Sequence, residues 1–235
     1  MRLLHVADLH LRWFDWVRAS ASRFDLLVVA GDLQDAFSDS GMVQQARVCS
    51  EWLLSLETPT VVVSGNHDYY SKSPRVTVDP TAEAQWLRRL GGKGRILAVD
   101  GESVSFATKG ATLRISTNGW AQKPAWDHDT DVLVTHAPPC GVDPAREAYG
   151  SRDSGDSDLW TAMLKSPTPR LVLCGHVHNP RDFWSRWPAG DPISKTTILN
   201  PGYDDSANEP MHWVIDTALG TATHHGGDSE TNIAV

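Results

Sequence analysis

Five short apolar runs, each followed at once by polar residues, constrain the fold of this chain more than any other feature. Each run has the length and the β-branched content of a buried strand. The runs lie at 3–7, 26–30, 60–64, 132–135 and 171–174. Stretches with helical spacing lie at 43–56, 81–90 and 157–164. Strand and helix therefore alternate, at least in the first half of the chain, and the pattern predicts an α/β layered fold.

The second half of the chain has more strand character. Further strand candidates lie at 103–107, 113–116, 196–199 and 213–215. Consecutive strands favour hairpins, so we expect mixed rather than purely parallel sheets. With 40% hydrophobic residues among 235, the chain can build one compact core. We expect a single domain over 1–225, a frayed tail over 226–235, and a long loop near the functional site over 143–158.

The polar clusters at the strand ends contain residue types that bind metal ions. In chain order they are Asp8-x-His10, Gly31-Asp32, Gly65-Asn66-His67-Asp68, His136 and Gly175-His176-x-His178. A single histidine at a strand end is more often a hydrogen-bonded structural residue than a ligand, and Gly-Asp is a common turn pair. Five such clusters, all at strand ends where α/β sheets hold ligands, instead favour one shared site.

Carboxylate and imidazole ligands without thiolate suit Mn, Fe, Zn or Co better than Ca or Mg. Two divalent ions about 3.5 to 4 Å apart repel each other, so an anionic ligand has to lie between them. Asp32 is the natural bridge. One ion would then draw Asp8, His10 and a later histidine, and the other the Asn66 amide oxygen and two further histidines. We expect two divalent metal ions per chain, with Mn favoured and Fe, Zn or Co as alternatives.

This ordered series resembles the calcineurin-like metallophosphoesterases, in particular the small single-domain phosphodiesterase-type branch. The resemblance runs from Asp8 to His178. It implies two mixed β-sheets packed as a sandwich and flanked by helices, around a dinuclear centre. It places the ligands in two sets: Asp8, His10, Asp32 and His178 on one metal, and Asp32, Asn66, His136 and His176 on the other. The run 196–199 and the following Asn200-Pro201-Gly202 also resemble the family's closing strand and turn.

The resemblance also implies a mechanism. A hydroxide that bridges the two ions would attack phosphorus, and His67, in a catalytic position without a ligand role, would assist the leaving group. We expect Asp68 to orient His67. The series implies a hydrolase rather than a binding module, because the ligand set is complete.

Two departures narrow the substrate class. Residues 31–37 lack the arginine of the motif G-D-x-x-D-R-G, which disfavours a protein Ser/Thr phosphatase. Asp35 stands where purple acid phosphatases carry a tyrosine, which disfavours that class as well. Residues 135–141 are similar to the T-H-x-P-P-x-G segment of small metallophosphoesterases that act on nucleotide diesters. Residues 5–11 instead resemble the start of the DNA-repair exonuclease branch, whose members usually continue into DNA-capping segments. The two resemblances point to substrates of different size.

The charge balance favours the smaller substrate. Twenty-one basic against twenty-nine acidic residues give a net charge of −8, the wrong sign for a protein that coats a nucleic-acid backbone. We expect the substrate to be a small, nucleotide-type phosphodiester. A DNA or RNA nuclease of the repair-exonuclease type and a phosphomonoesterase stay open as alternatives, and a non-catalytic binding module is the least favoured reading.

Arg12, Trp13 and Trp120 are the candidate substrate contacts. Arg12 directly follows the first metal motif and would clamp a phosphate oxygen. The two tryptophans would stack on a base, although packing is the commoner role for such side chains.

No apolar run approaches the roughly 20 residues that a membrane span needs, and the N terminus lacks the apolar stretch of a signal peptide. Cys49, Cys140 and Cys174 are too scattered for a CxxC site and indicate reduced thiols. We therefore expect a cytoplasmic protein without membrane association. The oligomeric state stays open.

Overall fold

The computed structural model describes residues 1–38, 40–68, 85–188, 196–226 and 229–235. In these ranges the chain forms two β-sheets, of seven and six strands. The helices are α1 (Phe14–Ala21), α2 (Met42–Leu54), α3 (Gln85–Arg88) and α4 (Ser157–Lys165). The helix predicted over 81–90 lies partly outside the described residues, and α1 was not predicted. None of the helices in the described part of the chain is long and apolar enough to cross a membrane.

The first sheet joins the N-terminal strands to the C-terminal ones. Along the chain its strands are β1 (Arg2–Val6), β2 (Leu26–Ala30), β3 (Thr60–Val63) and β4 (Ile96–Ala98), then β11 (His212–Asp216), β12 (Thr221–Gly226) and β13 (Ser229–Ala234). Their spatial order is β13-β12-β11-β1-β2-β3-β4. The pairs from β1 to β4 are parallel, whereas β11, β12 and β13 pair antiparallel. This is the mixed pairing that the sequence predicts.

The second sheet is also mixed. Along the chain its strands are β5 (Ser103–Thr108), β6 (Ala111–Asn118), β7 (Val132–Thr135), β8 (Leu171–Leu173), β9 (Trp184–Trp187) and β10 (Thr196–Leu199). Their spatial order is β5-β6-β7-β8-β10-β9. The central strands β6, β7, β8 and β10 are parallel, and the edge strands β5 and β9 pair antiparallel with their neighbours.

The core has three layers of apolar packing. Alternate residues of a strand point to opposite faces, so a central strand is buried on both sides. Val28 packs between the two sheets, whereas its neighbour Leu27 packs under α1 and α2. Leu133 and Ile198, on the outer face of the second sheet, pack against Leu159 of α4. The α/β sandwich flanked by helices is therefore confirmed.

The C-terminal residues differ from the expectation. The frayed tail predicted over 226–235 is not found in the described part, because Ser229–Ala234 form β13 and Ile233 lies opposite Ala222 of β12. An edge strand is held by backbone hydrogen bonds and needs few apolar side chains, so its composition gives little sign of it. Ile233 and Val235 also pack against the core between the sheets. The domain boundary at 225 stays a prediction.

All five polar clusters follow the carboxyl ends of parallel strands. Three follow β1, β2 and β3 of the first sheet, and two follow β7 and β8 of the second. Parallel strands end at the same edge of a sheet, so each sheet gathers its own clusters. Packing of the two sheets then brings both groups together.

Candidate metal centre

The loops that carry the clusters have an unusual backbone. Asp8, His10, Asp32 and His176 all have a positive φ, between 45° and 70°. Non-glycine residues in this left-handed region cost of order 1–3 kcal/mol each and persist only where the surrounding structure requires them. The loops after β1 and β2 are hydrogen-bonded side by side, because His10 N–H donates to the Asp32 carbonyl over 2.9 Å.

Gly65 shows how closely the loops approach each other. A Cβ atom on this residue would collide with the Asp32 carboxylate. Only glycine lets the turn after β3 pass against the turn after β2. The Asp32 Oδ1 atom then accepts a hydrogen bond from the His67 backbone N–H over 2.8 Å. The turn Gly65-Asn66-His67 therefore places the side chains of Asn66 and His67 near the Asp32 carboxylate.

The first ligand group consists of Asp8, His10 and His178, whose donor atoms lie within 4.8 Å of one another. The Nε2 atoms of His10 and His178 face each other at 3.3 Å, and His178 Nε2 lies 3.7 Å from Asp8 Oδ1. His10 Nδ1 donates to the Gln34 carbonyl over 3.1 Å. In the neutral ring the lone pair is therefore on Nε2, the atom that faces the group.

The second ligand group consists of Asn66, His136 and His176. The Asn66 Oδ1 atom lies 2.8 Å from His176 Nδ1 and 3.0 Å from His136 Nε2. His136 Nδ1 donates to the Ala30 carbonyl over 2.8 Å, so its Nε2 faces the group. As in the first group, a backbone carbonyl sets the orientation of a ligand ring.

Asp32 lies between the two groups. Its carboxylate is almost completely buried, and Oδ2 is 3.4 Å from His136 Nε2. Donor atoms of Asp32 cluster with those of Asp8 and His136, and separately with those of His10 and His67. Burial alone would raise the pKa of Asp32, but the neighbouring histidines, His136 first, hold the pKa well below its ordinary value. The carboxylate is therefore charged at neutral pH.

This donor set suits divalent cations. Two buried carboxylates, Asp8 and Asp32, need positive charge beside them. Burial opposes a charge on His136, but Asp32 and Asp8 outweigh it and raise the pKa of His136 to about 9. With protein atoms alone, a buried imidazolium thus supplies the missing charge. A bound cation would supply the same charge and would use the His136 Nε2 lone pair as a ligand.

His67 lies beside this centre with a defined tautomer. The Ala36 backbone N–H donates to His67 Nδ1 over 3.0 Å, so the proton of the neutral ring is on Nε2. His67 Nε2 lies 4.0 Å from Asp32 Oδ2, and its ring centroid is 4.8 Å from that of His10. Burial lowers the pKa of His67, against the opposing charge of Asp32. The neutral ring can therefore donate a hydrogen bond from Nε2 towards the centre.

Comparison with known proteins identifies the family. The family model of calcineurin-like phosphoesterases matches residues 1–180. The chain belongs to this family. It is therefore a metal-dependent hydrolase of phosphoric esters, as the ordered motif series predicts.

Two curated relatives resemble this phosphoesterase over much of its length. The 3',5'-cyclic adenosine monophosphate phosphodiesterase CpdA of Escherichia coli K12 is 26% identical over 208 residues, which cover 77% of this chain and 71% of the relative. A probable cyclic nucleotide phosphodiesterase of Synechococcus is 26% identical over 158 residues, which cover 66% of this chain and 58% of the relative. Among solved structures, the protein TT1561 of Thermus thermophilus has a TM-score of 0.55 at 11% identity and covers 99% of this chain and 98% of its own. That similarity shows the fold alone.

Asp68 has a different role in this phosphoesterase from the one expected. Its buried carboxylate accepts hydrogen bonds from the backbone N–H groups of Gln34, over 2.9 Å, and Gly65, over 2.8 Å. It joins the turn after β2 to the turn after β3 and makes no hydrogen bond to the His67 ring in the described residues. Burial and the charge of Asp32 raise the pKa of Asp68 to about 8.

Asp35 is the carboxylate that lies near the Nδ1 side of the His67 ring. Its Oδ1 atom is 3.9 Å from His67 Nδ1. The sequence signal for Asp35 is its place as the second aspartate of the run Gly31-Asp32-x-x-Asp35, where purple acid phosphatases carry a tyrosine.

Arg12 and Trp13 contact another part of the phosphoesterase. Arg12 Nη1 donates to the Asp205 carbonyl over 2.5 Å, and Trp13 Nε1 donates to the Ala207 carbonyl over 3.2 Å. Both side chains hold the loop 203–210, which is the packing role that the sequence left open for tryptophan. A direct contact with substrate stays a prediction for both.

Trp120 connects the centre to a cavity of about 920 Å³. Its ring centroid lies 5.1 Å from that of His176 and 5.7 Å from that of His136. The first turns of α4 and the segment 120–124 line this cavity, and Ala137, next to the ligand His136, lines it too. Part of the loop expected near the site, residues 154–158, thus borders the cavity.

Tyr203 was not singled out by sequence reasoning. Its ring centroid lies 4.6 Å from that of His178 and 5.3 Å from that of His10. The only sequence signal was its place directly after Asn200-Pro201-Gly202.

Proposed function

We propose that this protein is a phosphodiesterase that uses two divalent metal ions to hydrolyse a small, nucleotide-type phosphodiester. One observation carries the proposal: two groups of ligand atoms meet at the single buried carboxylate of Asp32, and the His67 Nε2–H faces the same place. The printed names of the relatives, which are cyclic nucleotide phosphodiesterases, support the diester class.

The ligand groups support two metal positions. Asp8, His10, His178 and Asp32 would hold one ion, and Asn66, His136, His176 and Asp32 the other. The mixture of imidazole, carboxylate and amide oxygen favours Mn, with Fe, Zn or Co as alternatives. When bound, the ions would activate water for attack on phosphorus and neutralise charge on the phosphoryl group.

His67 would donate a hydrogen bond from Nε2 to the leaving oxygen and stabilise the negative charge that develops there. The Ala36 N–H occupies Nδ1 and leaves the proton on Nε2, so the ring needs no rearrangement before it donates. One hydrogen-bond donor aimed at developing charge typically contributes about 10²- to 10³-fold in rate.

The cavity beside Trp120 would receive the organic part of the ester. Its volume of about 920 Å³ is within the range of small-ligand sites, and its walls carry Lys123 and Lys165 together with Asp156 and Asp158. The Trp120 ring, half-buried against the ligand His176, would stack on a base. The negative net charge of −8 opposes a long nucleic-acid substrate.

We also propose a cytoplasmic location. All three cysteines, Cys49, Cys140 and Cys174, are free thiols. Burial raises the pKa of Cys49 well above its ordinary value, which makes it an unreactive core residue. Free thiols are typical of reducing compartments.

The test is hydrolysis by protein that has been stripped of metal and reloaded with Mn, Fe, Zn or Co. We expect turnover of bis(p-nitrophenyl) phosphate and of a cyclic nucleotide, and binding of two ions per chain by elemental analysis. His67→Ala should lower kcat by about 10²- to 10³-fold and keep both ions. His128→Ala, at an exposed loop position, is the matched control.

Several outcomes would contradict the proposal. Failure of the fully loaded wild type to hydrolyse any diester would rule out a phosphodiesterase. Full activity of His67→Ala would rule out the proposed role of His67 at the leaving oxygen. Faster hydrolysis of p-nitrophenyl phosphate would favour a monoesterase instead. Release of nucleotides from single-stranded DNA, with tight and salt-dependent binding, would favour a nuclease.

A further inference from the structure

The turn that precedes Tyr203 is fastened to a metal-bearing turn. Asn200 is completely buried, and its side-chain amide donates to the carbonyls of Gly175, over 3.1 Å, and Val177, over 3.0 Å. Gly202 has a φ of 73°, and a Cβ atom there would collide with the ring of Phe183. The chain is thereby turned back over the 175–178 loop, which carries His176 and His178.

The segment after Tyr203 is fastened as well, but to the start of α1. Arg12 and Trp13 donate to carbonyls of the segment 203–210, and Trp16 Nε1 donates to Glu209 Oε2 over 2.9 Å. The Tyr203 backbone N–H itself donates to the His178 carbonyl over 2.8 Å. Tyr203 is therefore held from both sides at one edge of the metal centre.

The ring of Tyr203 is packed on three sides. It contacts the rings of His178 and His10, and the Trp13 ring lies 5.5 Å away, centroid to centroid. In the described part of the chain the Tyr203 hydroxyl makes no hydrogen bond. The residue is half-buried, so the hydroxyl is not a buried polar atom that lacks a partner. The hydroxyl is the group of Tyr203 that remains available to a ligand.

The exposed member of the first ligand group is His178, the ligand against which Tyr203 packs. Asp8 is completely buried and His10 is 8% exposed, whereas the His178 side chain is 43% exposed. Of the three residues, His178 is therefore the one that solvent reaches most readily. Tyr203 is the aromatic neighbour of His178 on that side.

We propose that Tyr203 is a substrate-binding residue, whose hydroxyl donates a hydrogen bond to a phosphoryl oxygen of the ester. This inference rests on the proposed function, because it assigns the phosphoryl group to the centre beside His10 and His178. A phenol is neutral and donates one hydrogen bond, so it binds an anionic oxygen without adding a positive charge beside the ions.

Tyr203→Phe tests the inference, because it removes the hydroxyl and keeps the ring that packs on the two histidines. Tyr149→Phe, at a tyrosine that is 88% exposed, is the matched control. Each protein is loaded with Mn, its metal content is measured, and inorganic phosphate is titrated into it by calorimetry. Hydrolysis of bis(p-nitrophenyl) phosphate is measured separately.

We expect Tyr203→Phe to retain the metal content of the wild type. Its affinity for inorganic phosphate and its kcat/KM should both fall by about 10- to 100-fold, the range for a lost hydrogen bond to a charged group. Tyr149→Phe should match the wild type in all three measurements. The phosphate titration does not depend on turnover, so it still tests Tyr203 if the wild type hydrolyses no ester and the proposed function fails.

Two results would overturn the inference. Unchanged phosphate affinity and kcat/KM in Tyr203→Phe would show that the hydroxyl does not meet the substrate. A loss of metal in this variant would mean that Tyr203 supports the ligands rather than the phosphoryl group.

Discussion

His5 is a buried histidine whose replacement should make the fold more resistant to acid. It lies in β1, between the two sheets, and is completely buried. In the described residues neither ring nitrogen has a hydrogen-bond partner. Burial outweighs the charge of Asp8, which acts in the opposite direction, and lowers the pKa of His5 from 6.5 to about 3.

The direction of the pH effect follows from this pKa. Below pH 6.5 the unfolded chain takes up a proton on His5, whereas the folded protein does not until about pH 3. The contribution of neutral His5 to stability is therefore complete above pH 6.5 and is lost as the pH falls towards 3. Each pH unit in this window costs about 1.4 kcal/mol, so at a pH of about 4.5 the loss is about 3 kcal/mol.

His5→Leu removes this titration and has a similar side-chain volume. We expect the free energy of unfolding of the wild type to fall by about 3 kcal/mol more than that of His5→Leu between pH values of about 7.5 and 4.5. The measurement is urea denaturation of metal-free protein, followed by circular dichroism at both pH values. His128→Leu, at an exposed position, controls for the removal of one histidine. Equal losses in the wild type and in His5→Leu would refute the reasoning.

Two further substitutions test how the centre is built. Asp32→Asn removes the charge shared by both ligand groups, so elemental analysis should find the content reduced from two ions to one or none per chain; retention of both ions would contradict the bridging role. Asp68→Ala leaves the N–H groups of Gln34 and Gly65 without their acceptor, so urea denaturation should show a loss of about 1–3 kcal/mol for each group, while Asp127→Ala, at an exposed position outside the helices, should show none. An unchanged denaturation midpoint in Asp68→Ala would be inconsistent with the contacts.

The sequence does not predict the strands that pair mainly through their backbone. β4, β9, β12 and β13 were not predicted, and all of them lie at or next to an edge of a sheet. β9 shows the reason: its residues, Trp184–Trp187, are only partly buried except for the last. Such a strand depends on the exposed N–H and C=O groups of its neighbour, and these leave little trace in its own apolar pattern.

The helix α1 was missed for a related reason. It begins directly after the first metal motif, at Phe14, and has no side-chain cap. Its first turn follows Trp13, which has a left-handed backbone, so the usual N-terminal signals are absent. Its position is set by packing under the first sheet, where Val17 and Ala21 are buried.

The sequence by itself determined the α/β class and the set of residues that meet at the centre. Both depend on local rules: buried strands have a recognisable length and composition, and polar residues directly after parallel strands are delivered to one edge of a sheet. Asp8, Asp32, Asn66, His136 and His176 could therefore be chosen before any contact was known.

Only the tertiary structure decided what the residues around this centre do. Asp68 braces two turns, Asp35 lies beside His67, and Trp13 reaches Ala207 across 194 positions of sequence. Tyr203 meets His10 only because the last loop folds back over the first one. Such partners depend on how the two sheets pack against each other, and no periodicity within a short segment carries that information.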